Sequence, residues 1–209
     1  MSAVQKQILY PDSLPVMEQF YTLQGEGQYS GHAAYFIRLA GCDVGCVWCD
    51  VKESWVVADS QWKKIEEIVG GATDFPSRIA VITGGEPAMY DLTQITKLLK
   101  NNGFRVHLET SGAYQLKGSF DWITVSPKKF KEPLKEVITQ ANELKVVVFH
   151  PSDIEWAEKH AQSAHKDCLL LLQPEWSRRE RHNNLLIDYI KSHPQWSLSL
   201  QTHKYIDIP

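Results

Sequence analysis

Along this chain, short apolar runs rich in β-branched residues alternate with stretches in which apolar residues return every third or fourth position. The runs are Ala34–Leu39, Ile79–Thr83, Val106–Glu109, Trp122–Val125, Leu144–Phe149, Leu169–Gln173 and Trp196–Leu200, and they predict strands. Met17–Leu23 predicts one more strand ahead of the first unit. The intervening spacing of Trp62, Ile65 and Val69, of Leu92, Ile95 and Leu99, of Ile154, Ala157 and Ala161, and of Leu186, Tyr189 and Ile190 predicts helices. The second of these has an entry signal in Asp91 and an exit signal in Gly103 after Asn101–Asn102.

Strands alternating with helices favour a parallel sheet with crossover connections. About six such units are too few to close the eight-unit barrel, so the expected fold is α/β, an open partial (β/α) barrel. No internal repeat, low-complexity tract or long linker interrupts the pattern, which predicts one domain over residues 1–209.

Composition narrows the function classes. With 43% hydrophobic residues the chain of 209 residues can bury a substantial core. Its apolar runs are far shorter than the roughly 20 residues of a membrane-spanning helix, so no membrane association is expected. The opening MSAVQKQILYPDS lacks the layout of a secretory signal, and a cytoplasmic location is expected. A net charge of −3, with cations grouped only at Lys128–Lys129–Lys131 and Arg178–Arg179–Arg181, argues against direct nucleic-acid binding. Of four cysteines, three fall within Cys42–Cys49, a crowding that suggests metal binding in a reducing compartment rather than disulfides.

Those three, Cys42, Cys46 and Cys49, have the spacing C-x3-C-x2-C directly after a predicted strand. Thiolates are soft ligands suited to iron–sulfur clusters or zinc. Three of them on a four-iron cluster leave one iron open to a small molecule, whereas a zinc site needs Cys168 or a histidine as a fourth ligand. A second segment, Thr83-Gly84-Gly85-Glu86-Pro87, follows the next strand. Its glycines allow close backbone approach to a ligand, and its carboxylate can accept a hydrogen bond from an ammonium group. Glu109-Thr110-Ser111-Gly112 and Ser126-Pro127-Lys128 also sit at strand ends, where ligands gather in barrel-like folds and where simple loop capping occurs too.

The cysteine spacing followed by GGEP resembles the radical SAM superfamily. The ordered set Phe20-Tyr21-Thr22-Leu23-Gln24-Gly25-Glu26-Gly27, Arg38, Trp48, Asp50, Thr83–Pro87, Glu109–Gly112, Ser126–Lys128, Gln173-Pro174, Gln201-Thr202-His203-Lys204 and Pro209 closely resembles the 7-carboxy-7-deazaguanine synthases over essentially the whole chain. The resemblance implies a radical SAM fold, a [4Fe-4S] cluster on Cys42, Cys46 and Cys49, and S-adenosyl-L-methionine (SAM) as the source of a 5′-deoxyadenosyl radical. It implies a lyase-type ring contraction of 6-carboxy-5,6,7,8-tetrahydropterin to 7-carboxy-7-deazaguanine and ammonia in queuosine and 7-deazapurine biosynthesis, with no protein side chain as the radical source.

By the same resemblance, Leu23, Gln24, Gly25, Glu26, Arg38, Thr83, His203 and the terminal Pro209 correspond to the substrate side. Trp48, Asp50, Gly85, Ser111, Ser126 and Lys128 correspond to the SAM side. It further implies a homodimer and an electron donor such as flavodoxin or ferredoxin. One position departs from the family: Val51 stands where a threonine commonly binds magnesium. Valine has no donor atom, so magnesium is left with substrate oxygens, water and Asp50, or is replaced or absent. The competing readings are another radical SAM enzyme, such as a glycyl-radical activase, and a non-enzymatic zinc-binding module. The other conspicuous residues, Cys168, His107, His150, Trp55, Trp62, Trp156, Trp176 and Trp196, read as packing or interface residues.

Overall fold

The computed structural model describes residues 2–209. Ser13–Leu23 (β1) runs antiparallel to Ala33–Leu39 (β2) and to the short Trp62–Lys64 (β3). From β2 onward the ladder is parallel through Ile79–Gly84 (β4), Arg105–Thr110 (β5), Trp122–Val125 (β6), Glu143–Val148 (β7), Leu169–Pro174 (β8) and Trp196–Leu198 (β9). The order β3-β1-β2-β4-β5-β6-β7-β8-β9 forms one sheet with two free edges, the open partial barrel that the alternation predicts. The helices are Ala3–Leu9 (α1), Ile65–Thr73 (α2), Thr93–Asn101 (α3), Lys135–Ile138 (α4), Asp153–Ala161 (α5), Arg179–Ser192 (α6) and Thr202–Ile206 (α7). Among the described residues no helix is long and apolar enough to cross a membrane.

Alternation along each strand separates the two faces of the sheet. Val106 and Leu108 of β5, with Ala80 and Ile82 of β4, join the core beneath α2 and α3. Leu144, Val146 and Val148 of β7 join Ala157 of α5 and Leu186 of α6 in a second core. Leu116 and Phe120 pack against both. The opposite positions, Glu109 on β5 and Lys145 and Val147 on β7, line the inner cavity instead. Ala34, Phe36 and Val81, backed by Phe20 and Ile79, form a separate small apolar cluster on that inner face.

Element boundaries differ from the sequence reading where short-range signals conflict. Trp62, expected on a helix, pairs with Pro15 as part of β3, and the helix begins at Ile65. The connection from β5 to β6 carries no helix, and that from β6 to β7 carries only α4. Asp91 does accept a hydrogen bond from the Thr93 N–H at 3.0 Å at the start of α3, and Gly103 takes φ 79° after its end. Helix α1 escaped the apolar pattern, although its Ser2–Gln5 capping box was present in the sequence. It is tied to the body by Gln7, which bonds both the carbonyl and the N–H of Asp91 at 2.9 Å.

Candidate active site

The carboxyl ends of the parallel strands open into one cleft enclosing about 1030 Å³, its mouth included. Five strands deliver polar side chains to it, Arg38 from β2, Thr83 from β4, Glu109 and Thr110 from β5, Lys145 from β7 and Gln173 from β8, and Gly84 of β4 adds backbone to its wall. The loops beyond the strands add Cys42, Cys46, Trp48, Cys49 and Asp50, then Gly85 and Glu86, Ser111, Ser126 and Lys128, and finally Gln201 and Lys204. Thus Glu26, Arg38, Thr83, all six expected SAM-side residues and the three cysteines meet in one cavity.

The cysteine loop and the GGEP segment interlock. Gly41 and Gly45 hold φ values of 98° and 73°, a conformation that favours glycine, so the loop can turn back after β2. The Cys49 N–H donates to the Cys46 carbonyl at 3.1 Å, and the Gly41 N–H donates to the Ser54 carbonyl at 2.6 Å. The Gly85 N–H donates to the Leu39 carbonyl and the Glu86 N–H to the Gly41 carbonyl. A Cβ at Gly85 would meet the Gly41 carbonyl oxygen and lie 2.9 Å from the Cys42 Cβ. The two motifs therefore fix each other's position.

Glu86, which lines the cleft, is tied into the protein by its own hydrogen bonds. Its buried carboxylate accepts from the Ala88 N–H at 3.0 Å, the Thr110 hydroxyl at 2.6 Å, the Ser111 N–H at 2.8 Å and the Ser111 hydroxyl. These four donors match the about four acceptor sites of a carboxylate. It ties the GGEP turn to the end of β5 and places Ser111 in the wall.

Across the cleft, Lys145 donates to both Glu26 and Glu109, the latter at 3.0 Å. Gln201 donates to the other Glu26 oxygen at 2.8 Å, and Gln24 to the other Glu109 oxygen at 2.9 Å. Burial alone would raise the Glu26 carboxyl, but the Lys145 ammonium and the Gln201 amide hold it down to about 2. Burial would lower Lys145, yet Glu109, Glu26 and Glu143 together raise it. Gln24 lies outside the cleft wall, its amide held by Glu109 and by the Glu26 N–H, so it supports the wall from behind. Arg38 pairs with Glu18 at 2.6 Å while reaching the cleft. Lys128 donates to Ser126 and lies 5.2 Å over the Trp48 ring; burial lowers its pKa.

Four further expected residues stand outside the cavity wall. Leu23 is partly exposed at the end of β1. Gly25 is covered by the imidazole of His203, which a Cβ there would strike. His203 rides on α7, which Thr202 fastens to the Gly25 carbonyl through its N–H at 2.8 Å and its hydroxyl at 2.9 Å. Pro209 is exposed beyond α7. Lys204 of the same helix reaches Asp50 in the cysteine loop at 2.6 Å.

Sequence reasoning gave no site role to Lys145 or Glu175, quoted Gln173 only as part of the family pattern and read Trp176 as a packing or interface residue, yet all four line the cavity. A lysine inside an apolar strand run was the available signal for Lys145, since such a residue almost always has a partner when buried.

The donor set fits a cluster with three protein ligands. The three thiols line a large cavity, while Cys168 packs against the second core and donates weakly to the Leu169 carbonyl at 3.6 Å. Burial pushes the Cys46 thiol up to about 11, with the Lys128 ammonium opposing. Among the described residues no three His, Cys, Asp or Glu side chains gather round a point suited to a single ion. A zinc knuckle therefore lacks its fourth ligand. Magnesium does not find a protein site either, because Val51 is apolar and Asp50 is paired with Lys204.

The model of the radical SAM superfamily matches residues 36–147. A 7-carboxy-7-deazaguanine synthase of Flavobacterium psychrophilum is 50% identical over 198 residues, covering 95% of this chain and 94% of that protein. The protein of the same name from Synechocystis is 49% identical, with 94% of each chain covered. The Escherichia coli K12 protein of that name is 36% identical over 93% of this chain and 98% of its own. The crystal structure of QueE from Escherichia coli superposes with a TM-score of 0.83 at 35% identity, covering 93% of this chain and 98% of the other.

Proposed function

The chain belongs to the 7-carboxy-7-deazaguanine synthases of the radical SAM superfamily, and from this we propose how its cleft contracts a pterin ring. The reaction converts 6-carboxy-5,6,7,8-tetrahydropterin to 7-carboxy-7-deazaguanine and ammonia. When bound, a cluster held by Cys42, Cys46 and Cys49 and a SAM molecule supply a carbon-centred radical able to take hydrogen from substrate. The chain's own residues hold, orient and seclude the reactants.

Trp48, Asp50, Gly85, Ser111, Ser126 and Lys128 surround the cysteines and form the SAM side. Glu86 fixes the Ser111 end of that wall. Glu26, Thr83 and Arg38 form the substrate side, where carboxylate acceptors suit the amino and amide N–H groups of a pterin and the guanidinium suits its carboxylate. Leu23, Gln24 and Gly25 shape the loop that carries Glu26, and His203 and Pro209, on and beyond α7, belong to the substrate side by the family resemblance. No step is routed through magnesium, whose donor set does not fit.

The convergence that carries this reading is the three thiols and the Glu26–Lys145–Glu109 wall facing one cavity at the strand ends. Such a cleft, with α7 fastened beside it, suits a small heterocycle better than the exposed backbone of a protein partner, which sets aside a glycyl-radical activase. Delivery of electrons by a flavodoxin or ferredoxin, a homodimeric state and a cytoplasmic location belong to the same proposal. Anaerobic incubation of iron-loaded protein with SAM, a reductant and the carboxytetrahydropterin should yield 7-carboxy-7-deazaguanine by mass analysis. Iron-loaded protein that cleaves SAM without forming that purine would refute the assignment.

A further inference from the structure

Lys145 stands at the centre of the polar wall with its side chain 3% exposed. It comes from the middle of β7, where the apolar neighbours Leu144 and Val146 anchor the backbone in the second core. Its ammonium donates to Glu26, on the loop after β1, and to Glu109, on β5. Those carboxylates come from segments far apart in sequence, and Lys145 joins them.

We propose that Lys145 is a positioning residue that fixes the Glu26 and Glu109 carboxylates side by side as paired acceptors for the N–H-rich edge of the heterocyclic substrate. The inference rests on the pterin reading above. Each carboxylate has about four acceptor sites. On Glu26, Gln201 takes one oxygen and Lys145 the other; on Glu109, Gln24 and Lys145 do the same. About half of each acceptor set therefore stays open toward the cavity that both residues line. An amino-amide edge offers adjacent donors to match such a pair, and Arg38 lies on the same cavity to meet an acid group.

Without a cation between them, two half-buried carboxylates sharing a site resist double ionisation, and one holds a proton more tightly. A protonated carboxyl turns an acceptor into a donor and mismatches the substrate edge. Other charged groups facing the pair are Glu143 on β7, whose burial raises its pKa, Lys128 beyond β6, and His203 on α7, whose burial lowers its own. None of these is hydrogen-bonded to both carboxylates, and Lys128 instead donates to Ser126.

Equilibrium dialysis of the carboxytetrahydropterin against cluster-loaded enzyme, with SAM and no reductant, reads this role without turnover. Wild-type affinity should change little between about pH 6.5 and about pH 9, because Lys145 stays paired with both acceptors across that range. Lys145→Met should bind roughly tenfold or more weakly near neutral pH and recover as the pH rises and the second carboxylate ionises. Iron content and SAM binding of the variant should stay at wild-type levels.

Wild-type affinity and a flat pH profile in Lys145→Met would overturn the proposal and leave the ion pair a packing device. Should Lys145→Met fail to fold, Glu109→Gln decides. It keeps Lys145 paired with Glu26 and should lose roughly tenfold in affinity without recovery at high pH, since an amide does not ionise. Unchanged affinity in Glu109→Gln would equally overturn the idea. Wild-type enzyme that neither binds nor converts the pterin would refute the functional reading itself, whereas a converting wild type with indifferent variants would refute only this inference.

Discussion

Glu86 shows how a single buried carboxylate can organise the wall of a site through its own hydrogen bonds. Four donors from Ala88, Thr110 and Ser111 converge on it, so Glu86→Gln would set an amide N–H₂ against at least one of them. The expected cost is about 3 kcal/mol of stability in denaturant unfolding, together with weaker SAM binding as Ser111 loses its anchor. Unchanged unfolding would show that those contacts are dispensable. His107 makes a second prediction at this scale. It is buried beneath Tyr29, its Nε2 has no partner, and burial lowers its pKa to about 4. The unfolded chain then binds the proton more readily than the folded one between about pH 4 and about pH 6.5. Stability should therefore be fully present above about pH 6.5 and fall by up to about 3 kcal/mol as pH drops to about 4. Urea midpoints measured across that window should lose this slope in His107→Phe; an unaltered slope would assign it to other groups.

Helix α7 is too short to be stable alone and is held by tertiary contacts. Thr202 grips the Gly25 carbonyl, Ser30 meets Thr202 at 3.0 Å, Lys204 bridges to Asp50, and Tyr205 packs edge-on to Trp176 at 5.0 Å. It thereby joins the loop carrying Glu26 to the cysteine loop. Gly25→Ala places a methyl group where the His203 ring sits and must push the helix away. The expected loss is roughly tenfold or more in kcat/KM, with only about 1 kcal/mol of global stability, because the displaced element lies at the periphery. Removing the ring should relieve the clash, so Gly25→Ala/His203→Ala should be no worse than His203→Ala alone. If the double variant shows the full sum of both defects, the contact is not the cause.

At the scale of the whole molecule, one sheet carries two helix-covered cores on its outer face and a charged cleft on its inner face. The ladder is hydrogen-bonded from β3 to β9, and Leu116 and Phe120 touch both cores, so residues 1–209 should unfold together as one domain. Ile82→Ala in the first core and Leu172→Ala in the second remove fully buried side chains and should each cost about 2–5 kcal/mol. Circular dichroism and hydrogen exchange of β4 and β8 should report one common midpoint for each variant. Two separated midpoints would divide the chain into independent folding units.

Local order was legible where it depends on neighbours in sequence. The parallel strands, the ends of α3, the Gly41 and Gly45 turns and the cysteine spacing all follow from residue type and periodicity, which act over a few positions. The family-specific residues Glu26, Arg38, Thr83, Trp48, Asp50, Ser111 and Lys128 could be named for the same reason, since each sits in a short recognisable string beside a strand end. Periodicity could not show that β3 would claim Trp62, that a five-residue helix would be fastened to Gly25, or that Glu86 would be saturated with donors. Above all, the alternation along β7 placed Lys145 on an inner face, but only the assembled sheet brought to it Glu26, 119 residues away in the chain, and Glu109, 36 residues away. Spacing along a sequence fixes which residues share a strand or a turn, whereas partners for a buried charge are chosen by the three-dimensional meeting of strands, where an unpaired ion would cost too much to bury.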